Sequence, residues 1–186
     1  MDTPPNIVCP YDAELFGHWW YEGPQWLGNV MRKLLTEPHG VKLSTPRDYI
    51  ETHGTAPASD PAFSSWGAGG YADVWLNGTN DWIYPHLHKI GDLMHDAAGL
   101  PEKGELDRRA RNQMARELLL AQSSDWAFIM KTGTMVEYAV KRTKVHVHNC
   151  LELFRQIESG DFDEPFLLNL EITNNVFPEI DYRVYA

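Results

Sequence analysis

Basic charge is scarce in this sequence. Sixteen lysines and arginines stand against 26 aspartates and glutamates, a formal charge of −10 over 186 residues. A surface that tracks phosphate backbones needs the opposite balance, so no nucleic acid is expected as a partner. The two basic clusters, "DRRAR" (Asp107 to Arg111) and "VKRTK" (Val140 to Lys144), fall inside helical patterns and read as solvated helix faces. Long apolar runs are missing as well. No stretch approaches the roughly 20 residues of a membrane span, so the chain reads as soluble with no membrane partner. The opening MDTPPN lacks the basic and apolar regions of a secretory leader. Cysteine is limited to Cys9 and Cys150, which match no zinc or redox spacing, and two reduced thiols in a cytoplasmic protein are the expectation.

Other absences narrow the chemistry. There is no Gly-rich phosphate loop, no Ser nucleophile elbow and no HExxH motif. His86 and His88 repeat the spacing of His146 and His148, but on a helix residues two apart point about 200° away from each other. Neither pair chelates, so no metal and no cofactor is expected.

What the chain does have is aromatic surface: seven Trp, eight Tyr and seven Phe, many of them among Gly and Asn rather than Leu and Val. That points to stacking on a neutral or weakly charged ligand. The segment "CPYDAELFGHWWYEGP", Cys9 to Pro24, puts Asp12, Glu14, a histidine and three consecutive aromatics into sixteen residues. Before it, "NIVCPYD" reads as a short strand ending in a turn, because proline biases Cys9 to extended geometry. After it, "QWLGNVMRKLLTE" carries Trp26, Val30 and Leu34 or Leu35 at helical spacing. Strand, loaded loop and helix is the order found in α/β barrels, whose sites lie on the loops after the strands. In an extended stretch Asp12 and Glu14 share a face, and such a pair divides acid and base roles if one carboxyl is kept protonated. His18 can orient one of them, and Trp19, Trp20 and Tyr21 can line a sugar-sized trough. The alternative is structural: Asp12 caps a turn, His18 bonds to backbone and the aromatics are core.

"VKLSTPRDYIETHG" suggests a short strand, a cap at Ser44 or Thr45, and a brief helix. From Gly54 to Gly70 the chain is loop, and the architectural boundary falls there. In "SSWGAGGYADVWLNGTNDW", Trp66, Tyr71, Trp75 and Trp82 alternate with Gly and Asn, a mixture suited to pyranose rings; a loop packed under its own aromatics is the alternative. Three helices follow on apolar periodicity: one with Ile83, Leu87, Ile90 and Met94 on a face, one with Ala110, Met114 and Leu118, and one with Met135, Ala139, Thr143, Val147, Leu151 and Phe154. "SSDWAFIMKTG" interrupts the last two, with Asp125 either an N-cap or a ligand-binding group. The tail from 161 to 186 shows no helical period. The fold class expected is mainly α with a small α/β part. Residues 1–60 form one piece, 61–160 a helical domain with the aromatic loop, and 161–186 an extension.

"CPYDAELFGHWWYEGP" resembles the fourth motif of the family 57 glycoside hydrolases, and "SSWGAGGYADVWLNGTNDWIYPHLH" the region of the fifth. "RRARNQMARELLLAQSSDWAFIMKTGTMVEYAVKRTKVH" and the ending "NNVFPEIDYRVYA" resemble the helical C-terminal domain of that family's 1,4-α-glucan branching enzymes. The resemblance implies the C-terminal end of an incomplete (β/α)7 barrel followed by a helical domain. It also implies a retaining mechanism in which Asp12 is the proton donor, supported by Glu14 and His18. Trp19, Trp20, Trp66, Trp75 and Asp125 would then line a groove for α-glucan such as amylose or glycogen. The family's nucleophile, a Glu on an earlier barrel strand, has no counterpart in this sequence. The chain alone is therefore expected to be inactive and to need a barrel, such as a separate N-terminal chain. An α-amylase or 4-α-glucanotransferase of the same family, or a non-catalytic glucan-binding relic, are the alternatives.

Overall fold

The computed structural model describes residues 4–38, 40–54 and 58–186. The first three residues, His39 and residues 55–57, at the start of the loop expected from Gly54 to Gly70, lie outside the described residues. The chain divides after Pro61 into two compact units.

In the first unit, a 3-10 turn (Ala13–Leu15) leads into α1 (Gly23–Thr36), and α2 (Pro46–His53) follows. Pro24 sits in the first turn of α1, where its missing N–H costs nothing. At α2 the cap is Thr45 rather than Ser44: its side chain accepts from the Asp48 N–H while Asp48 returns a bond to the Thr45 N–H. The strands expected at 6–12 and 41–43 do not form. Among the described residues the only β pairing is one isolated bridge, Phe16 to Trp20. An extended segment becomes a strand only when a neighbouring segment takes up its N–H and C=O groups in a ladder. Gly23 is the only buried residue among those described in this unit, which therefore has no core of its own.

The second unit is helical and well packed. Its elements are α3 (Ile83–Gly99), α4 (Glu105–Ala121), α5 (Ser124–Thr132), α6 (Val136–Ser159), α7 (Glu164–Thr173) and a closing 3-10 turn (Tyr182–Tyr185). α6 runs against α3, α4 and α5, while α7 and the closing turn cover α4. The expected faces of α3 and α4 are buried, from Ile83 through Met94 and from Ala110 through Leu118. On α6 the buried stripe is instead Ala139, Thr143, His146, Cys150, Leu153 and Ile157, with Met135 and Leu151 exposed. Steps of four overrun a full turn by about 40° each, so a run of such steps drifts off the face; alternating threes and fours stays on it. Two further readings change. "SSDWAFIMKTG" is itself a helix, closed by Gly133 in left-handed geometry. The tail carries α7, whose N-cap Asp163 accepts from the Phe166 N–H, and Leu167, Leu170 and Tyr182 are part of the core.

The basic cluster on α4 is not a solvated face. Arg111 is fully buried, and its guanidinium donates to both Asp107 oxygens and to the carbonyls of Ala97, Leu100 and Pro101. All its donors are used, pinning the end of α3 to α4. Arg109 forms a two-pronged pair with Glu171 on α7. Arg116 donates to the carbonyls of Val176, Phe177 and Pro178, holding the tail where Phe177 takes a left-handed conformation. In the second cluster, Arg142 lies over the rings of Trp126 and Tyr138, and Lys144 over Trp82.

At the centre lies a buried polar network. Glu117 on α4 accepts from His146 Nδ1 at 2.7 Å, Asn149 at 3.0 Å, Gln113 at 2.9 Å and Asn174 at 2.8 Å. His146 Nε2 faces the Arg142 guanidinium at 2.8 Å, which can only donate, so Nδ1 carries the proton. Burial pushes the Glu117 carboxyl upward, but these four donors outweigh it and hold it below its ordinary value. Nearby, burial and the Glu117 charge push the Cys150 thiol well up. Among the described residues no helix is long and apolar enough to cross a membrane, and no three His, Cys, Asp or Glu side chains gather as a metal site.

Candidate functional site

In the first unit the extended backbone stops at Asp12, which flanks the 3-10 turn. Glu14 lies within that turn, so the alternation that would set both carboxylates on one face does not apply. The Asp12 side chain is exposed and makes no capping bond, which sets aside its structural role as a turn cap. His18 packs edge-on against Trp19 at 5.0 Å and its backbone N–H donates to the Glu14 carbonyl at 3.3 Å, but among the described residues its ring makes no hydrogen bond to the Asp12 or Glu14 carboxylate. The loop closes on itself through Gly17 N–H to the Trp20 carbonyl at 2.9 Å and Trp20 N–H to the Leu15 carbonyl at 3.0 Å. Gly17 takes a φ of 101°, which favours glycine. At Gly23 a Cβ would stand 3.0 Å from the Phe16 backbone and 3.2 Å from the Trp20 ring. The two tryptophans therefore part company. Trp20 packs inward against Phe16 and Trp26, while Trp19 is 73% exposed. Tyr21 and Asp12 are exposed as well.

The second constellation lies in the helical unit. Trp66 and Trp75 stand 5.9 Å apart, and Phe128 on α5 meets them at 5.9 and 6.3 Å. Trp75 donates its indole N–H to the Trp66 carbonyl at 3.1 Å. Trp66 nonetheless keeps 62% of its surface in water. The loop is anchored beneath them by Asn80, fully buried, which donates to the carbonyls of Val74 and Ala127 and accepts from the Asn77 N–H. The Tyr84 hydroxyl donates to the Trp75 carbonyl, and Lys131 pairs with Asp73 at 2.8 Å. Asp125 is not the N-cap of α5: Ser123 holds that place, and Asp125 is exposed in the first turn. Three residues before Phe128, it shares that residue's side of the helix. The structure thus joins Trp66 and Trp75 with a ring the sequence reading passed over, and sets a carboxylate one turn away. It is an uncovered aromatic wall with a polar edge, the form suited to a sugar's apolar face and hydroxyl rim.

Comparison with known proteins takes up where geometry stops. Residues 86–185 match the family described as 1,4-alpha-glucan branching enzyme, C-terminal. The chain belongs to this family. A 1,4-alpha-glucan branching enzyme of Thermococcus kodakarensis is 37% identical, over 97% of this chain and 27% of its own length. Among solved structures, the GH57-type branching enzyme of the archaeon Pyrococcus horikoshii is similar with a TM-score of 0.74 and 39% identity, over 96% of this chain and 34% of that one. The alpha-amylase AmyC from Thermotoga maritima is similar at a TM-score of 0.70 and 46% identity, over all of this chain and 34% of that one. The branching-enzyme family member described here thus spans about a quarter to a third of each relative's length. The resemblance drawn from the motifs holds, and the helical unit is the C-terminal helical domain of such enzymes.

Proposed function

We propose that the chain is the C-terminal portion of a retaining 1,4-α-glucan branching enzyme, acting on amylose or glycogen in the cytoplasm. Asp12 is its general acid, Glu14 and His18 support that site, and Trp19, Trp20, Trp66, Trp75 and Asp125 contact glucan. The nucleophile comes from residues outside these 186, on a barrel against which residues 1–60 would pack. In the first step the nucleophile bonds to the anomeric carbon as its C–O bond to the leaving chain breaks, and the carboxylic acid of Asp12 gives its proton to that departing oxygen. In the second, the Asp12 carboxylate takes the proton of an acceptor 6-hydroxyl, whose oxygen bonds to that carbon and releases the nucleophile. Trp19 and Tyr21 would line this face once barrel and glucan cover it, and that cover favours a sugar acceptor over water.

The observation that supports this reading is the alignment of branching-enzyme relatives along 97% of the chain, across both units. The unit without a core supports the need for a barrel: Ile7, Val8, Tyr11, Trp19, Tyr21 and Leu35 are all exposed. A second reading, hydrolysis rather than transfer, draws on the 46% identity to a protein described as an α-amylase. The test is a branching assay on the purified chain, alone and mixed with the barrel portion of a relative. The chain alone should form no α-1,6 bonds, and the mixture should form them. Asp12→Asn should then lower the rate by about 10²–10⁴ with glucan binding retained. Branching by the chain alone would overturn the proposal, and release of reducing sugar without branching would favour the hydrolase.

A further inference from the structure

One exposed feature of the helical unit takes no part in the site so far described. Phe63 and Tyr71 stack with centroids 6.4 Å apart and planes 22° from parallel, and they remain 70% and 73% exposed. Two large rings that meet each other and otherwise face water leave apolar area unburied, which a fold alone gains nothing by doing. The backbone that carries them is tightly determined. Ser65 N–H donates to the Gly70 carbonyl at 2.7 Å, and the Ser65 hydroxyl accepts from the Ala72 N–H at 2.6 Å. That closure holds Ala72 at a φ of 63°, unfavourable for a residue with a side chain. Within it Gly67 takes a φ of 100°, where a Cβ would come 2.4 Å from Val74. Tyr71 is thus held by the closure before any ligand arrives, and Phe63 rests on it, so little ordering of Tyr71 is lost on binding. The chemistry around it is neutral: no charged residue occurs from Pro61 through Ala72, and the hydroxyls of Ser64 and Tyr71 are the polar groups at hand. The loop is also continuous with the aromatic wall, since the residue after Ser65 is Trp66.

We infer that Phe63 and Tyr71 are a second stacking platform, holding further glucosyl units of the same α-glucan chain that lies on Trp66, Trp75 and Phe128. The inference rests on the glucan-binding reading above and extends it to longer chains. A flat, uncharged pair of rings fits the C–H face of a neutral pyranose, whereas an anionic ligand would find no cation on this loop. A platform beyond the first wall acts only on oligosaccharides long enough to reach both. It therefore sets chain-length preference rather than basal affinity.

The test is a calorimetric titration of the full chain with maltotriose and maltoheptaose, with cellohexaose as the β-linked comparison. The native chain should bind maltoheptaose more tightly than maltotriose. Tyr71→Ala and Phe63→Ala should each weaken maltoheptaose about three- to tenfold and leave maltotriose unchanged. Tyr71→Phe, which keeps the ring, should bind as the native chain does and shows that a loss in Tyr71→Ala is not a folding defect. Trp66→Ala should weaken both ligands. If both ring deletions bind maltoheptaose normally while Trp66→Ala fails, the platform is overturned and the groove stands. If the native chain binds neither maltose oligomer, the groove reading fails and this inference with it.

Discussion

Glu117 offers the sharpest test of how the helical unit is held together. Its two oxygens take four donors, Gln113 and Asn174 on one, His146 and Asn149 on the other. Glu117→Gln keeps the shape but leaves one oxygen, and its new amide presents protons to two groups that also donate. Two buried hydrogen bonds are lost whichever way the amide turns. At about 1–3 kcal/mol for each unsatisfied buried group, the loss is about 2–6 kcal/mol. Removing the charge returns part of its desolvation cost, which favours the lower half, about 2–4 kcal/mol. For a unit of this size that is a fall in Tm of about 6–15 °C. Differential scanning calorimetry of the full chain measures it, with exposed Glu158→Gln as the control expected to stay within about 2 °C. A fall of less than about 2 °C for Glu117→Gln would refute the claim that this network holds α4, α6 and the tail together.

The same carboxylate sets an acid limit. Its value is lowered in the folded state, so its stabilisation is present above the ordinary carboxylate value and is lost as pH falls through the folded one. Tm should drop steeply below about pH 4, and Glu117→Gln should flatten that drop; an unchanged slope in the variant counts against the assignment. Glu152 is held down to about 2 by Arg155 and Gln156, but this partly open pair should add little to the slope. Asn80→Ala removes two hydrogen bonds within the aromatic loop, to Val74 and Asn77, and the one that ties it to Ala127 on α5. It should speed amide exchange and proteolysis at residues 65–82 by at least about tenfold while α6 stays protected. Gly67→Ala should do the same through backbone strain and the clash with Val74, at a cost of about 1–3 kcal/mol; a native-like melting curve and cleavage pattern would contradict it.

Helical periodicity located α3, α4 and α6 because their apolar residues recur over two or more turns. It failed on α5, where nine residues are too few to establish a period and the serines suggested a break. It failed on α7 because that helix carries apolar side chains on several sides, Phe166, Leu167, Leu168 and Leu170, which blurs any face. Phe128 was overlooked for the first of these reasons. The buried arginines were legible as charge but not as location: nothing in "DRRAR" tells which of three arginines finds five acceptors. Asp12 and its neighbours stood out by composition, yet their mutual geometry depended on where the extended backbone gave way to a 3-10 turn.

The two cysteines sit in opposite circumstances, Cys9 exposed and Cys150 fully buried with its thiol held protonated. A maleimide reacts through the thiolate at an accessible sulfur, so it should couple to the native chain at one position. That position is three residues from Asp12. A single environment-sensitive dye there would report, without any catalysis, the moment at which a barrel or a sugar chain closes over the proposed acid.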